Sequence, residues 1–302
     1  MLEENIIKSL FNNKYPDDDC FFLKKKYLIT TDTIIEGTHF NHAWSNPKYL
    51  AEKLVEVNVS DIAASGGCKE GFAFLNLGLN KTSSEDAWIK SFNETLLKRL
   101  KYYNHKLSGG DSFYSKNTSL NLTLISENPF QIKRSSAKHN DKLFITGAVG
   151  FSNLGFRILK KKLHIEDREI SEFAINKHLG PVSRFFEMKK IQKQNTIHSM
   201  IDISDGLLQD AEKIALASRK DLFIHIDKIP QFYSLRAFLS IEQIITSGEE
   251  LELLFSAKDI KKDSKQAVTE IGFVKKGTGK VIFLFEGKEF VPKKKGFQHF
   301  SK

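Results

Sequence analysis

The 302-residue sequence is poor in cysteine: Cys20 and Cys68 are the only two, and neither has a Cys or His neighbour at zinc-ligand spacing. That excludes a disulfide framework and a cysteine-rich zinc site. No apolar run reaches the roughly 18 residues of a membrane-spanning helix. The opening Met1-Leu2-Glu3-Glu4 is acidic, unlike the basic start of a secretory signal. These absences predict a soluble cytoplasmic protein with no membrane partner. Familiar motifs are missing too. Gly272 and Gly277 have P-loop spacing, but Thr278 stands where the lysine belongs. Gly277-Thr278-Gly279-Lys280 lacks the third glycine of a dinucleotide fingerprint, and neither Gly-x-Ser-x-Gly nor His-Glu-x-x-His occurs.

What is present is an ordinary globular mixture with an excess of positive charge. Lys and Arg number 46 against 37 Asp and Glu, a formal net charge of +9. The lysines fall in short scattered runs, such as Lys24-Lys25-Lys26 and Lys160-Lys161-Lys162, without interleaved aromatics. Single-strand binders need those aromatics to stack bases, so no nucleic-acid partner is expected. The charge instead suits polyanionic small molecules.

Periodicity mixes strands and helices in both halves, an α+β pattern. A hairpin is expected over 20–31, and Pro47 opens a helix through Leu50, Leu54, Val57 and Asp61 that Gly66-Gly67 closes. A strand follows at 72–79. Ser83 with Asp86 reads as a capping box before the stripe Trp88, Phe92, Leu96, Leu100 and Tyr103. Alternation at Leu120, Leu122 and Leu124 marks a strand, and the polar stretch 126–141 reads as a joint. Later strands are expected at 142–146, 198–203, 222–226, 251–255, 271–274 and 281–285, and helices around 170–178, 182–190 and 207–218.

The informative residues are carboxylates in polar junctions. Thr30-Thr31-Asp32-Thr33 is expected to end a strand, and Asn58-Val59-Ser60-Asp61 lies on the following helix. Ser108-Gly109-Gly110-Asp111-Ser112 reads as a glycine turn, and Asp202-Ile203-Ser204-Asp205-Gly206 joins a strand to a helix. Asp17-Asp18-Asp19 precedes the first strand. The likeness of the Asn58 and Asp202 motifs suggests two halves of related design. Magnesium takes oxygen ligands, one or two carboxylates per ion, and keeps waters or substrate phosphates in its other positions. Several ions around a triphosphate therefore need several short Asp side chains delivered to one cleft. Each cluster alone also has an ordinary reading as a turn or helix cap.

Taken in order, Thr31-Asp32-Thr33-Ile34-Ile35-Glu36-Gly37-Thr38-His39-Phe40, Asn58 to Ala64, Gly109-Gly110-Asp111, Ile145-Thr146-Gly147, Asp202 to Leu207, Ser247 to Phe255 and the tail Gly296-Phe297-Gln298-His299-Phe300 resemble the thiamine-monophosphate kinase family. The resemblance implies a two-domain fold like that of aminoimidazole-ribonucleotide synthetase, with mixed sheets and helices packed on them. An N-terminal ATP- and magnesium-binding, dimer-forming domain would span 1–135, and 136–302 would complete the cleft. The implied reaction moves the γ-phosphoryl of ATP onto thiamine monophosphate, using several Mg2+ ions, in a homodimer. The implied metal ligands are Asp19, Thr30, Thr31, Asp32, Asp61, Asp111, Asp202 and Asp205. Gly110, Asp111, Arg134 and Ser204 are the implied nucleotide contacts, and Asp32, Asp205 and Arg134 the catalytic groups. His39, Glu249 and Phe297 are the implied thiamine-phosphate contacts.

Where the family usually has Gly-Gly-Glu-Asp-Tyr-Glu-Leu, this chain has Ser247-Gly248-Glu249-Glu250-Leu251-Glu252-Leu253. Ser112 replaces the Thr that usually follows Gly-Gly-Asp. The alternatives are another ATP-dependent enzyme of the same superfamily, such as a cyclo-ligase, or a non-catalytic paralogue that binds Mg-nucleotide.

Overall fold

A computed structural model describes residues 6, 9–10, 18–261, 268–293 and 296. Its first half is a five-stranded mixed sheet in the order β1-β2-β5-β3-β4. The strands are β1 (Phe21–Leu23), β2 (Tyr27–Ile35), β3 (Gly71–Leu79), β4 (His105–Tyr114) and β5 (Ser119–Glu127). Leu120, Leu122 and Leu124 turn inward while Asn121, Thr123 and Ile125 turn out, the period-2 signature of a sheet covered on one side. Helices α1 (Pro47–Ala64) and α2 (Asp86–Tyr102) supply that cover.

Helix α1 begins where the Asn46 side chain accepts the N–H of Tyr49 and Pro47 takes the first turn. It ends at Gly66-Gly67, where the Gly67 N–H returns to the Ile62 carbonyl. Leu50, Leu54, Val55, Val59 and Ile62 are buried, and so are the polar Lys53, Asn58 and Ser60. Phe144, Met200, Leu253 and Phe255 from the second half join the same apolar cluster, so α1 is sandwiched rather than merely amphipathic.

The second half is a seven-stranded mixed sheet in the order β12-β11-β8-β10-β6-β9-β7. It is built from β6 (Lys142–Ile145), β7 (Ser199–Ile203), β8 (Lys220–His225), β9 (Glu252–Ala257), β10 (Thr269–Lys276), β11 (Val281–Phe285) and β12 (Lys288–Phe290). Every residue of β7 and β9 is buried, the continuous pattern of strands covered on both faces. Helices α3 (Phe151–Leu159), α4 (Arg168–Leu179), α5 (Phe185–Gln192) and α6 (Leu207–Ser218) accompany it, with short helices α7 (Phe232–Arg236) and α8 (Ile241–Ile245).

Four expectations from the sequence need correction. Ser83 caps no helix: its hydroxyl accepts the Asn80 N–H at 2.9 Å, and α2 starts two residues later than a box would require. Thr30 to Thr33 lie inside β2, not at its end. Gly109-Gly110-Asp111 is not a turn but part of β4, which runs parallel to β3 with a register shift opposite Ala73/Phe74. The glycine is needed there because a Cβ on Gly110 would stand 1.8 Å from the Leu75 carbonyl oxygen. The likeness of the Asn58 and Asp202 motifs is not structural repetition: one lies within a helix, the other at a strand end.

Candidate active site

Strand alternation sorts the first motif. Thr30 and Asp32 point to the inner face of β2, whereas the Thr31 hydroxyl faces out to Thr123 at 2.9 Å and Asn121 at 3.1 Å. On the inner side the Thr30 hydroxyl donates to Asp61 at 2.5 Å, which ties β2 to α1. One turn of chemistry further, Ser60 donates to Asp202 at 2.8 Å, so the two look-alike motifs meet across the halves. Asp19 arrives from the bend before β1 and is held by the Arg134 guanidinium at 2.5 Å, while the Arg134 backbone N–H donates to Asp18 at 2.8 Å.

Carboxylate oxygens of Asp19, Asp61 and Asp202 all lie within 4.8 Å of one another. Burial, then repulsion from Asp32, Asp202 and Asp19, drives the Asp61 carboxyl well above the usual carboxylate range. Asp202 is raised in the same way, by burial and then by Asp19 and Asp210. Burial also raises Asp32, reinforced by Asp19 and Asp205 against a hydrogen bond with Asp61. Arg134 pairs with Asp19, yet burial and mutual repulsion still raise Asp32, Asp61 and Asp202. An all-oxygen donor set of buried, mutually repelling carboxylates fits hard divalent cations such as Mg2+.

Asp205 is set by a device that the sequence motifs did not reveal. Asp210, in the first turn of α6, accepts the backbone N–H groups of Ser204, Asp205 and Gly206 at 3.0–3.1 Å. Lys213 then bridges Asp210 at 2.8 Å and Asp205 at 2.7 Å. Burial pushes the Asp210 carboxyl up to about 6 despite that lysine. Gly206 is at φ +118 and a Cβ would meet the Thr246 backbone, so the loop closes only with glycine.

The cavity beside these carboxylates has a volume of about 560 Å³ and is lined at one end by Asp32, Asp61, Asp202, Ser204 and Asp205. Its wall continues through Glu249, whose N–H donates to the Ser204 carbonyl at 2.7 Å. Lys53 from α1 reaches Glu249 at 2.8 Å and the His39 carbonyl at 3.3 Å, and His178 stands 3.7 Å from the other Glu249 oxygen. Burial opposes ionisation of Glu249, but Lys53 and then His178 outweigh it and hold the carboxyl below its ordinary range. His39 Nδ1 accepts the Ile35 N–H at 3.1 Å, which leaves Nε2 as the ring's other polar atom, and His39 lines the cavity. Burial and Lys53 push His178 down to about 4, so it is neutral at physiological pH.

Thus Asp19, Thr30, Asp32, Asp61, Asp202, Ser204, Asp205 and Arg134 gather at one end, and His39 and Glu249 line the wall that leads away from it. Gly110, Asp111 and Thr31 do not join them: Asp111 is exposed on β4, paired in register with Asn76 of β3. Phe297 lies outside the described residues; a Cβ on its neighbour Gly296 would stand 3.1 Å from the Asp205 carbonyl oxygen. Ser247, Glu250 and Leu251, the three departures in the 247–253 segment, are all buried. Glu250 accepts from Gly150 N–H, Ser152 N–H and the Ser247 hydroxyl, and burial pushes it up to about 7. Lys53 was missed, yet it carried a signal: it is a lysine on the apolar stripe of Leu50, Leu54 and Val57.

Residues 17–127 match the family described as AIR synthase related protein, N-terminal domain. The chain is 41% identical to the thiamine-monophosphate kinase of Leptospira interrogans, over 94% of this chain and 92% of that protein. It is 31% identical to the thiamine-monophosphate kinase of Aquifex aeolicus, over 98% and 96%. Its fold is similar to a solved structure of AaThiL complexed with AMPPCP and TMP, with a TM-score of 0.83 at 28% identity over 98% of this chain and 96% of that one.

Proposed function

The chain belongs to the thiamine-monophosphate kinase family, and on that premise we propose how its residues carry the transfer of the ATP γ-phosphoryl group to thiamine monophosphate. The products are thiamine diphosphate and ADP. The observation that carries the reading is the cavity itself, with convergent carboxylates at one end and an ionised Glu249 and His39 along the adjoining wall.

An acceptor phosphate oxygen attacks the γ-phosphorus while the bond to the β–γ bridging oxygen breaks. The nucleophile is already an anion, so no side chain need take a proton from it. The protein's task is alignment and charge control. Asp19, Asp32, Asp61, Asp202 and Asp205 are the residues that would hold Mg2+, which when bound screens the repulsion between the two polyphosphates. Asp210 and Lys213 keep the Asp205 loop in one shape. Arg134 orients Asp19 and offers its guanidinium edge to the nucleotide, and Ser204 offers a hydroxyl and N–H at the start of α6. Glu249 matches the positive thiazolium ring, and His39 and Phe297 complete the acceptor side.

The same reading makes the enzyme a cytoplasmic homodimer with domains at 1–135 and 136–302. No helix among the described residues is long and apolar enough to cross a membrane. The outer face of the five-stranded sheet exposes Phe72, Phe74 and Phe113 around the polar row Thr33, Asn121, Asn76 and Asp111. Such a patch supports burial by a second copy, which would take Thr31, Gly110 and Asp111 out of solvent.

Incubation of the protein with Mg-ATP and thiamine monophosphate, followed by chromatography, is expected to yield thiamine diphosphate, and Asp32→Asn and Asp205→Asn are expected to abolish it. Normal Mg-ATP binding without any product would instead identify a binding-only paralogue.

A further inference from the structure

The far end of the cavity carries two aromatic residues that no motif singled out, Trp44 from the loop before α1 and Phe156 from α3. One ammonium reaches both: Lys160 Nζ lies 5.8 Å from the Trp44 ring centre and 5.3 Å from that of Phe156. Phe156 packs on His178 at 5.2 Å, and His178 is the neighbour of Glu249. The wall therefore runs in a fixed order, from the Asp205 loop through Glu249 and His178 to Phe156, Lys160 and Trp44. The Trp44 indole N–H is buried with no acceptor among the described residues. The other indole, Trp88, also lacks an acceptor, but it is stacked on Phe92 in the core and does not line the cavity.

We propose that Trp44 and Phe156 form the slot that seats the aminopyrimidine ring of the acceptor, with Lys160 as the plug that leaves when the ring enters. This deepens the kinase reading and rests on it. The acceptor has three parts in a row, an anionic phosphate, a cationic thiazolium and a neutral, flat aminopyrimidine. The wall offers matching chemistry in the same order: a cation-holding cluster, an ionised Glu249 and an aromatic pair. Aromatic faces bind flat heterocycles by stacking, and the indole N–H meets a ring nitrogen acceptor. Lys160 also enforces polarity, because its charge repels a thiazolium presented at this end.

Trp44→Ala is expected to raise the KM for thiamine monophosphate by about tenfold or more, the cost typical of losing one stacked ring. The KM for ATP stays unchanged, and Trp44→Phe recovers most of the loss. Lys160→Ala lowers the KM for the acceptor. In a Trp88→Phe background, where Trp44 is the sole indole, thiamine monophosphate quenches the fluorescence without ATP, and unphosphorylated thiamine does so more weakly. An unchanged acceptor KM in Trp44→Ala, or no quenching at saturating acceptor while the enzyme turns over, overturns the slot and leaves the kinase standing. Quenching by both ligands with no diphosphate product overturns the kinase reading and leaves the slot.

Discussion

Two sets of carboxylates flank the cleft, and the protein balances them in opposite ways. Glu249, Glu250 and Glu252 are each matched: the first by Lys53, the second by two backbone N–H groups and a hydroxyl, the third by Lys177 at 2.7 Å and Arg184 at 2.6 Å. Asp61 and Asp202 accept hydroxyls, from Thr30 and Ser60, Asp61 also shares a hydrogen bond with Asp32, and both crowd against Asp19. The partners of the matched set come from within the chain, although Glu249 also lines the cavity and one Glu250 oxygen is buried without a hydrogen bond among the described residues. The crowded set carries a repulsion that burial strengthens, and under the proposed function divalent cations would relieve it. Buried carboxylates thus divide by whether their counter-charge is supplied by the protein or from outside.

The sharpest way to break this distinction is to neutralise one member of the crowded set. Asp61→Asn is expected to cost about 10³-fold or more in turnover, as loss of a charge-organising group at a phosphoryl-transfer site does. In chelator it should melt higher than the wild type, because like-charge repulsion is relieved. A variant that is both less active and less stable would erase the contrast.

The same neutralisation in the matched set has the opposite sign. Glu252→Gln strands Arg184 and Lys177 and is expected to destabilise by about 4 kcal/mol in urea unfolding.

Glu250 provides a pH version. Burial raises its folded carboxyl from the ordinary 4.5 to about 7. Its contribution to stability is therefore complete below pH 4.5 and is lost as pH rises through 7. Relative to Glu250→Gln, the wild type should lose about 3 kcal/mol between pH 4.5 and 7.5, read from paired unfolding curves.

Smallest in expected size is the response to the cation itself. Mg2+ at about 100 times its dissociation constant should add about 2.7 kcal/mol to the wild type and less to Asp61→Asn, by calorimetry. An equal gain in both would place the ion elsewhere.

Much of this contrast was legible in the residues. Asp32, Asp61, Asp202 and Asp205 stand in motifs whose spacing and order announce them, and helices such as 47–64 and 207–218 follow from Pro47, the glycines and apolar periodicity. What escaped depended on contacts between distant segments. Gly109-Gly110 looks like a turn because glycine usually marks one, yet here close passage of the Leu75 carbonyl demands it inside a strand. Thr31 and Thr30 are indistinguishable in a list of neighbours, and only the pleat of β2 separates them. Asp210 resembles any acidic residue in a first helical turn, and its role depends on the loop that folds back over it. Trp44 and Phe156 lie 112 positions apart, so nothing local could pair them.

Lys53 and Asp61 ride on the same helix, eight positions apart. At about 1.5 Å per residue that is a rod segment of about 12 Å. The helix is therefore a gauge, holding the carboxylate end and the Glu249 end at a separation that side-chain motion cannot stretch. One residue inserted between them would rotate Asp61 by about 100° out of its station while leaving Lys53 in place. The interval from 53 to 61 should accept changes of side chain far more readily than any change of length.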